Sequence, residues 1–275
     1  MSTAMQGGSR ASLAGVRDDL SAVLRSGDLD LAGLAGELFD VAAVLDREKT
    51  LRRVLTDPSR SEDARAELAG GIFGQQVSEV AVDLLVAAVR ARWSRPLDLA
   101  DAVELLAVEA LVASAEQAGR LDAVEDELFR TGRVIAGSHQ LRAALGDRSA
   151  PVDSRIALLD DLLGEKVAGE TLRLVRQAVV APRGRSLDDS LETYGTVAAE
   201  RRSRLVATVT AAVPLTEAQR ERLGAIVAQA YGHEVQLNVE VDPGLIGGLR
   251  IEIGDEVIEG SVLSRLADAR RRLVG

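Results

Sequence analysis

Apolar residues recur at helical spacing through most of this chain, and the pattern switches to strict alternation near residue 204. Leu13, Val16, Leu20 and Val23 form one stripe over about 9–25. Leu34, Leu38, Val41 and Leu45 form another over 31–55, which Asp57-Pro58 ends because proline cannot continue a helix. Further helices are predicted at 60–72 (ending at Gly70-Gly71 or Gly74), 77–92 and 96–118, then at 121–145, 152–163, 167–181 and 186–203. Leu205 to Val213 reads as a strand stopped by Pro214. Thr216 with Gln219 three residues on gives a capping box, opening a helix expected to bury Leu223, Ile226, Val227 and Ala230 and to end at Gly232. Val235, Leu237, Val239 and Val241 alternate with Glu234, Gln236, Asn238 and Glu240 in a second strand. The glycine-rich run 242–248 reads as a tight turn between antiparallel strands, leading to Leu249, Ile251 and Ile253. After Gly254-Asp255 a short strand covers 256–259, and Gly260-Ser261 opens a last helix. Its stripe is Val262, Leu266, Ala269 and Leu273, flanked by Leu263 and Ala267. The fold class is mainly α with a small α/β C-terminal domain: a partly duplicated helical bundle, then a β-α-β-β-β-α module.

Sliding the sequence against itself by 90 positions exposes a repeat. Residues 37–98 align with 127–188 without a gap, with 21 identities in 62 positions. Glu37-Leu38-Phe39 meets Glu127-Leu128-Phe129, Asp57 meets Asp147, and Asp63 and Arg65 meet Asp153 and Arg155. Gly74 meets Gly164, and Arg95-x-Leu97-Asp98 meets Arg185-x-Leu187-Asp188. Chance similarity between two Ala/Leu-rich regions would not preserve Phe, Gly and Asp in one register. The expected domains are 1–118, a first bundle; 119–203, its second copy; and 204–275, the α/β module.

Composition sharpens this picture. Hydrophobic residues make up 47% of the 275 but aromatics only 2%, so the core is built of Ala, Leu and Val, which favours helices. A formal net charge of −10 opposes binding to nucleic acid or anionic lipid, both of which need a basic footprint. Zero cysteines exclude disulfides and thiolate chemistry. No uncharged stretch approaches the roughly 20 residues of a membrane-spanning helix, and no apolar signal segment opens the chain. A soluble intracellular protein that reaches any membrane through a partner is expected.

Little here points to catalysis or to a cofactor. His139 and His233 are the only histidines, which makes a zinc site implausible. No Gly-x-Ser-x-Gly elbow occurs. The glycines at 244, 247 and 248 feed a strand, not the helix N-terminus that a nucleotide-binding loop requires. Pro182-Arg183-Gly184-Arg185 is a basic loop, readable either as a grip for a carboxylate-rich partner or as a solvated connection. Arg270-Arg271-Arg272 complements the end of the last helix.

The string PGLIGGLRIEIGDEVIEGSVLSRLADARRRL closely resembles the C-terminal signature of the F-type ATP synthase delta subunit family, which includes the oligomycin-sensitivity-conferring protein. A weaker resemblance to the family's helical domain lies mainly in the second copy, at Leu141-Arg142-x-x-Leu145 and Arg185 to Arg202. The resemblance implies a non-catalytic stator subunit without cofactor or metal. Its partners would be alpha subunits of the catalytic head, bound by the helical bundle, and b-type peripheral stalk subunits, bound by the C-terminal domain. The implied location is peripheral, on the cytoplasmic face of the cell membrane, within the complex. Partner contacts are expected on Leu13, Val16 and Leu20 of the first helix and on Val262, Leu263, Leu266, Ala269 and Leu273 of the last. The helix at 96–118 would close the first bundle and open the second. A helical-repeat scaffold of another intracellular complex, or an enzyme of unrecognised type, is the alternative.

Overall fold

A computed structural model describes residues 5, 7–25, 29–203, 206–231, 235–242, 244–245, 248–253 and 256–259. The chain divides into two compact units, Met1–Ala198 and Ala199–Gly275. The first holds helices α1 (Gly8–Leu24), α2 (Leu31–Arg47), α3 (Lys49–Leu55), α4 (Glu62–Phe73), α5 (Glu79–Arg90) and α6 (Pro96–Gln117). It continues with α7 (Leu121–Gly137), α8 (His139–Gly146), α9 (Val152–Leu163), α10 (Gly169–Val180) and α11 (Leu187–Ser203), the last running into the second unit. The helices predicted at 31–55 and 121–145 are each broken, at Glu48 and at Ser138. Glu48 leaves helical geometry with ψ 78, and Ser138, extended at ψ 105, caps α8 by accepting from Leu141 N at 3.2 Å. Apolar spacing continues across both breaks, so periodicity alone joins the pieces.

The breaks are 90 residues apart, and other features recur at the same spacing. α2, α3, α4 and α5 begin at 31, 49, 62 and 79, while α7, α8, α9 and α10 begin at 121, 139, 152 and 169. Ser59 Oγ donates to Asp57 Oδ1 at 2.7 Å, and Ser149 Oγ to Asp147 Oδ1 at 2.6 Å. Buried Arg65 donates to the carbonyl of Val89 at 2.6 Å, and buried Arg155 to that of Val179 at 2.9 Å. Each guanidinium thereby satisfies a carbonyl that the end of α5 or α10 leaves without a helical partner. Glu37 accepts from Ser78 Oγ, and Glu127 accepts from the backbone N of the corresponding Ala168.

Helix α6 occupies the middle of the unit. Leu99, Ala100, Ala102, Val103, Leu106, Ala107, Val108, Ala110, Leu111, Val112, Ala113 and Ala115 are all without solvent exposure. It packs against α1, α2, α3 and α5 on the first-copy side and against α7 and α10 on the second. Its contact with α2 is the most extensive between helices, which alanines permit by letting two backbones approach closely. Shifted by 90, α6 is the counterpart both of α1 and of α11.

The second unit contains β1 (Val206–Ala211), α12 (Glu217–Tyr231), β2 (Gln236–Val241), β3 (Leu249–Ile253) and β4 (Glu256–Glu259). The capping box forms: Thr216 N donates to Gln219 Oε1 at 2.9 Å and Gln219 N to Thr216 Oγ1 at 3.4 Å. The strands make one mixed sheet in the order β2-β1-β3-β4. β2 lies parallel to β1 (Val209 opposite Val239), while β3 lies antiparallel to β1 (Val209 opposite Ile251). The run 242–248 is therefore not a tight hairpin. A β-α-β crossover seats β2 on one side of β1, so the chain must pass β1 to reach the other, about 10 Å at the usual strand spacing. An Asp242 turn starts that passage, with Gly244 N donating to Asp242 Oδ1 at 2.8 Å. Ala207, Val227, Val235 and Ile253 form the core, joined by Leu223, Leu237 and Ile251. Ile226, expected inside, is 56% exposed, because α12 turns Leu223 and Val227 to the sheet and Ile226 lies on the flank of that stripe.

Candidate interaction surfaces

The first-helix stripe fastens α1 to its own bundle. Val16 and Leu20 are buried where α1 packs on α5 and α6, and Leu13 is half-buried. Val16 and Leu20 thus face the interior of the helical unit, and Leu13 keeps part of its surface open. Arg10, Ala11, Ala14, Gly15, Asp18 and Asp19 form the exposed side. Val262, Leu263, Leu266, Ala269 and Leu273, with the last helix that carries them, lie outside the described residues.

The basic loop 182–185 turns inward. Arg183 adopts φ 43 beside Gly184 at φ 81, a left-handed pair that points the arginine into the bundle. Its side chain has no exposure and meets the equally buried Glu104 of α6. It also lies 3.4 Å from Asp101 and donates to the carbonyl of Ala100 at 3.2 Å. Arg185 donates to Glu104 as well, Tyr194 OH donates to it at 3.0 Å, and Gln177 Nε2 at 3.3 Å. Burial raises the Asp101 pKa against the pull of Arg183 and Arg185. Burial, reinforced by the Glu104 charge, raises the Tyr194 hydroxyl well above its ordinary value, so it stays a donor. Burial opposes the charge of Arg185, yet Glu104 outweighs it and raises that pKa. The carboxylates this loop grips are the chain's own. A signal for it exists in the sequence: Asp98, Asp101 and Glu104 recur every third residue in the first turns of a largely apolar helix.

The first copy closes the matching joint with hydroxyls and an indole. Trp93, at the position of Arg183, donates to the carbonyl of Ala88 at 2.8 Å. Ser12 Oγ of α1 donates to the carbonyl of Arg92 at 2.6 Å, and Ser94 N donates to Ser9 Oγ at 2.7 Å. Ser9 Oγ in turn donates to Asp98 at 2.7 Å, a carboxylate that Arg95 also holds, at 2.6 Å. In both copies a leading helix clamps the loop before the closing one, through the carboxylates of α6 in one case and through the serine hydroxyls of α1 in the other. A cavity of about 370 Å³ lies beside Trp93, lined by Thr56, Pro58, Arg60, Glu62, Arg65 and Arg92 among others.

No group of His, Cys, Asp or Glu able to hold a metal ion occurs among the described residues. Nor is any helix among them long and apolar enough to cross a membrane. What the geometry defines is a scaffold: a helical unit whose elements recur at a spacing of 90 around one buried helix, and a small mixed-sheet unit.

A family model for the ATP synthase delta (OSCP) subunit matches residues 108–273. The protein named ATP synthase subunit delta from Streptomyces avermitilis is 52% identical over 267 residues, 97% of this chain and 98% of that one. Its namesake in Streptomyces coelicolor is 52% identical over 269 residues, covering 98% of each chain. That of Thermobifida fusca is 47% identical over 271 residues, 98% of this chain and all of the other. The chain belongs to the ATP synthase delta (OSCP) subunit family, a non-catalytic component of that complex. The match begins inside α6, so α1 to α5 precede it.

Proposed function

We propose that this chain is a stator subunit of a proton-translocating F-type ATP synthase, linking the alpha subunits of the catalytic head to b-type subunits of the peripheral stalk. The observation that carries this reading is identity of about half to proteins named ATP synthase subunit delta, along almost the whole of both chains. A stator holds the head against the torque of rotation and takes no part in phosphoryl transfer, which needs a metal and a phosphate cradle. What it supplies is affinity, through helices laid in grooves.

The helical repeat is the working unit in this reading: 1–118 is one bundle, 119–203 its second copy, and 204–275 the stalk-binding domain. Recurrence of helix starts and buried hydrogen bonds at a spacing of 90 supports it. On α1, the alpha-subunit contacts are Leu13, Val16 and Leu20, of which Leu13 keeps part of its surface open. Val262, Leu263, Leu266, Ala269 and Leu273 are the residues for the b-type chains. The complex is membrane-associated, and this subunit sits peripherally on its cytoplasmic side.

Membranes lacking the protein are expected to retain ATP hydrolysis in the detached head and to lose ATP-driven proton pumping, and adding the purified chain restores the coupling. Loss of hydrolysis while alpha and beta subunits remain intact would make the chain catalytic and end this reading. Deleting 261–275 should abolish capture of b-type peptides by an otherwise folded chain.

A further inference from the structure

The two copies differ in what they leave uncovered. Among the described residues of the helical unit, the large hydrophobic side chains that stand exposed are Phe129, Val134, Val152, Leu162 and Val180, all in the second copy. Their counterparts 90 residues earlier are Phe39, Val44, Glu62, Ile72 and Arg90, buried, half-buried or charged. The sharpest contrast is one residue type at one position: Phe39 is 9% exposed and Phe129 66%.

The cause lies in what packs beside them. α2 and α7 bury a common stripe at 31, 34, 38, 41 and 45, repeated at 121, 124, 128, 131 and 135. α2 buries a second stripe as well, Ala35, Phe39 and Ala42, at spacings of four and three that form one ridge. That stripe accompanies its long contact with α6, and no comparable approach joins α7 to α11, the counterpart of α6. The matching ridge on α7 is Glu125, Phe129 and Gly132, half-buried at its ends and open at the ring. The molecule therefore displays in its first copy what covers this ridge: an apolar helix.

We propose that the α7 ridge centred on Phe129 takes a helix of another synthase subunit, seated as α6 is seated on α2. This rests on the stator reading above. The occupant is an amphipathic helix with alanine and leucine along its contacting stripe, as α6 has. Arg133, its guanidinium 6.0 Å from the Phe129 ring centroid, places a cation at the rim to meet a carboxylate of that helix. The second copy carries the exposed apolar ridge of the helical unit, and in the first copy the matching ridge is buried.

The test uses the assembled synthase and the full chain. A photo-crosslinking phenylalanine analogue at position 129 is expected to form a covalent product with a different subunit. F129D is expected to weaken binding to that subunit about tenfold, with an unchanged circular dichroism spectrum, as loss of a buried aromatic anchor does. Products only within the chain, including its residues 260–275, only with a second copy of the chain, or none from a chain that co-purifies with the complex would overturn the proposal and leave the stator reading standing. A crosslink with undiminished binding by F129D would overturn it too. If the unsubstituted chain failed to co-purify, the stator reading itself would fall.

Discussion

Replacing Glu104 with alanine tests whether the ion cluster under the 182–185 loop is a structural joint. The carboxylate has no exposure and receives Arg183, Arg185, Tyr194 and Gln177. Without it Arg183, equally unexposed, keeps only Asp101 at 3.4 Å for its charge. Removing one partner of a buried pair costs about 3–5 kcal/mol, since the other charge is left in a low-dielectric interior. With a urea slope of about 2 kcal/mol per molar for a domain of ordinary size, the midpoint should fall by about 2 M. Far-ultraviolet circular dichroism reads it directly, because most of the helical signal comes from residues 1–198. The double replacement E104L/R183L removes the fully buried pair, leaves Arg185 to balance Asp101, and should recover part of the loss, because apolar side chains of similar volume often substitute without penalty. A shift under about 0.5 M for E104A, or a double variant worse than the single one, would show that the cluster contributes little and refute the argument.

Three further outcomes are expected. Ser59 holds the Asp57 carboxylate below its ordinary pKa by side-chain and then backbone hydrogen bonds, and Ser149 does the same for Asp147. A lowered folded-state pKa gives stability that is present above the unfolded value and lost as pH falls through the folded one. S59A and S149A should therefore each destabilise at pH 7 and match the parent near pH 2 in thermal melts, with similar profiles. A110L inserts a larger side chain into fully buried α6 and should cost about 1–3 kcal/mol in urea unfolding, the usual penalty of overpacking. D30A removes the carboxylate that accepts from Gly33 N at 2.8 Å and should cost about 1 kcal/mol, read in the same assay.

Most helix ends were legible because proline and glycine stop helices locally, as Gly74 does after α4. The breaks at Glu48 and Ser138 were not, because each costs a single non-helical residue that leaves the apolar spacing in phase. The strands were legible from alternation, but their order was not. Which edge of β1 receives β3 depends on contacts between segments some forty residues apart. The inward turn of Arg183 was hidden for the same reason: its partner Glu104 is 79 positions earlier, and an arginine in a loop ordinarily points to water. The repeat was visible at once, yet the different fates of Phe39 and Phe129 were not, since both sit in the same local motif.

The sharing of α6 makes the doubling hard to undo. A chain trimmed to begin near Pro96 would keep a leading helix for its remaining helices, but whichever apolar residues α2 had covered, drawn from a wholly buried set that includes Leu99, Leu106 and Leu111, would meet water. Burying one such leucine contributes roughly 1.5–3 kcal/mol, so an exposed row of them would favour aggregation over folding. Several polar replacements along α6 would have to precede the loss of the first copy. Each of these, made while α2 is still in place, would set a polar group in a dry interface. The intermediates in either order are poor proteins, and the longer form is kept by its own history of packing.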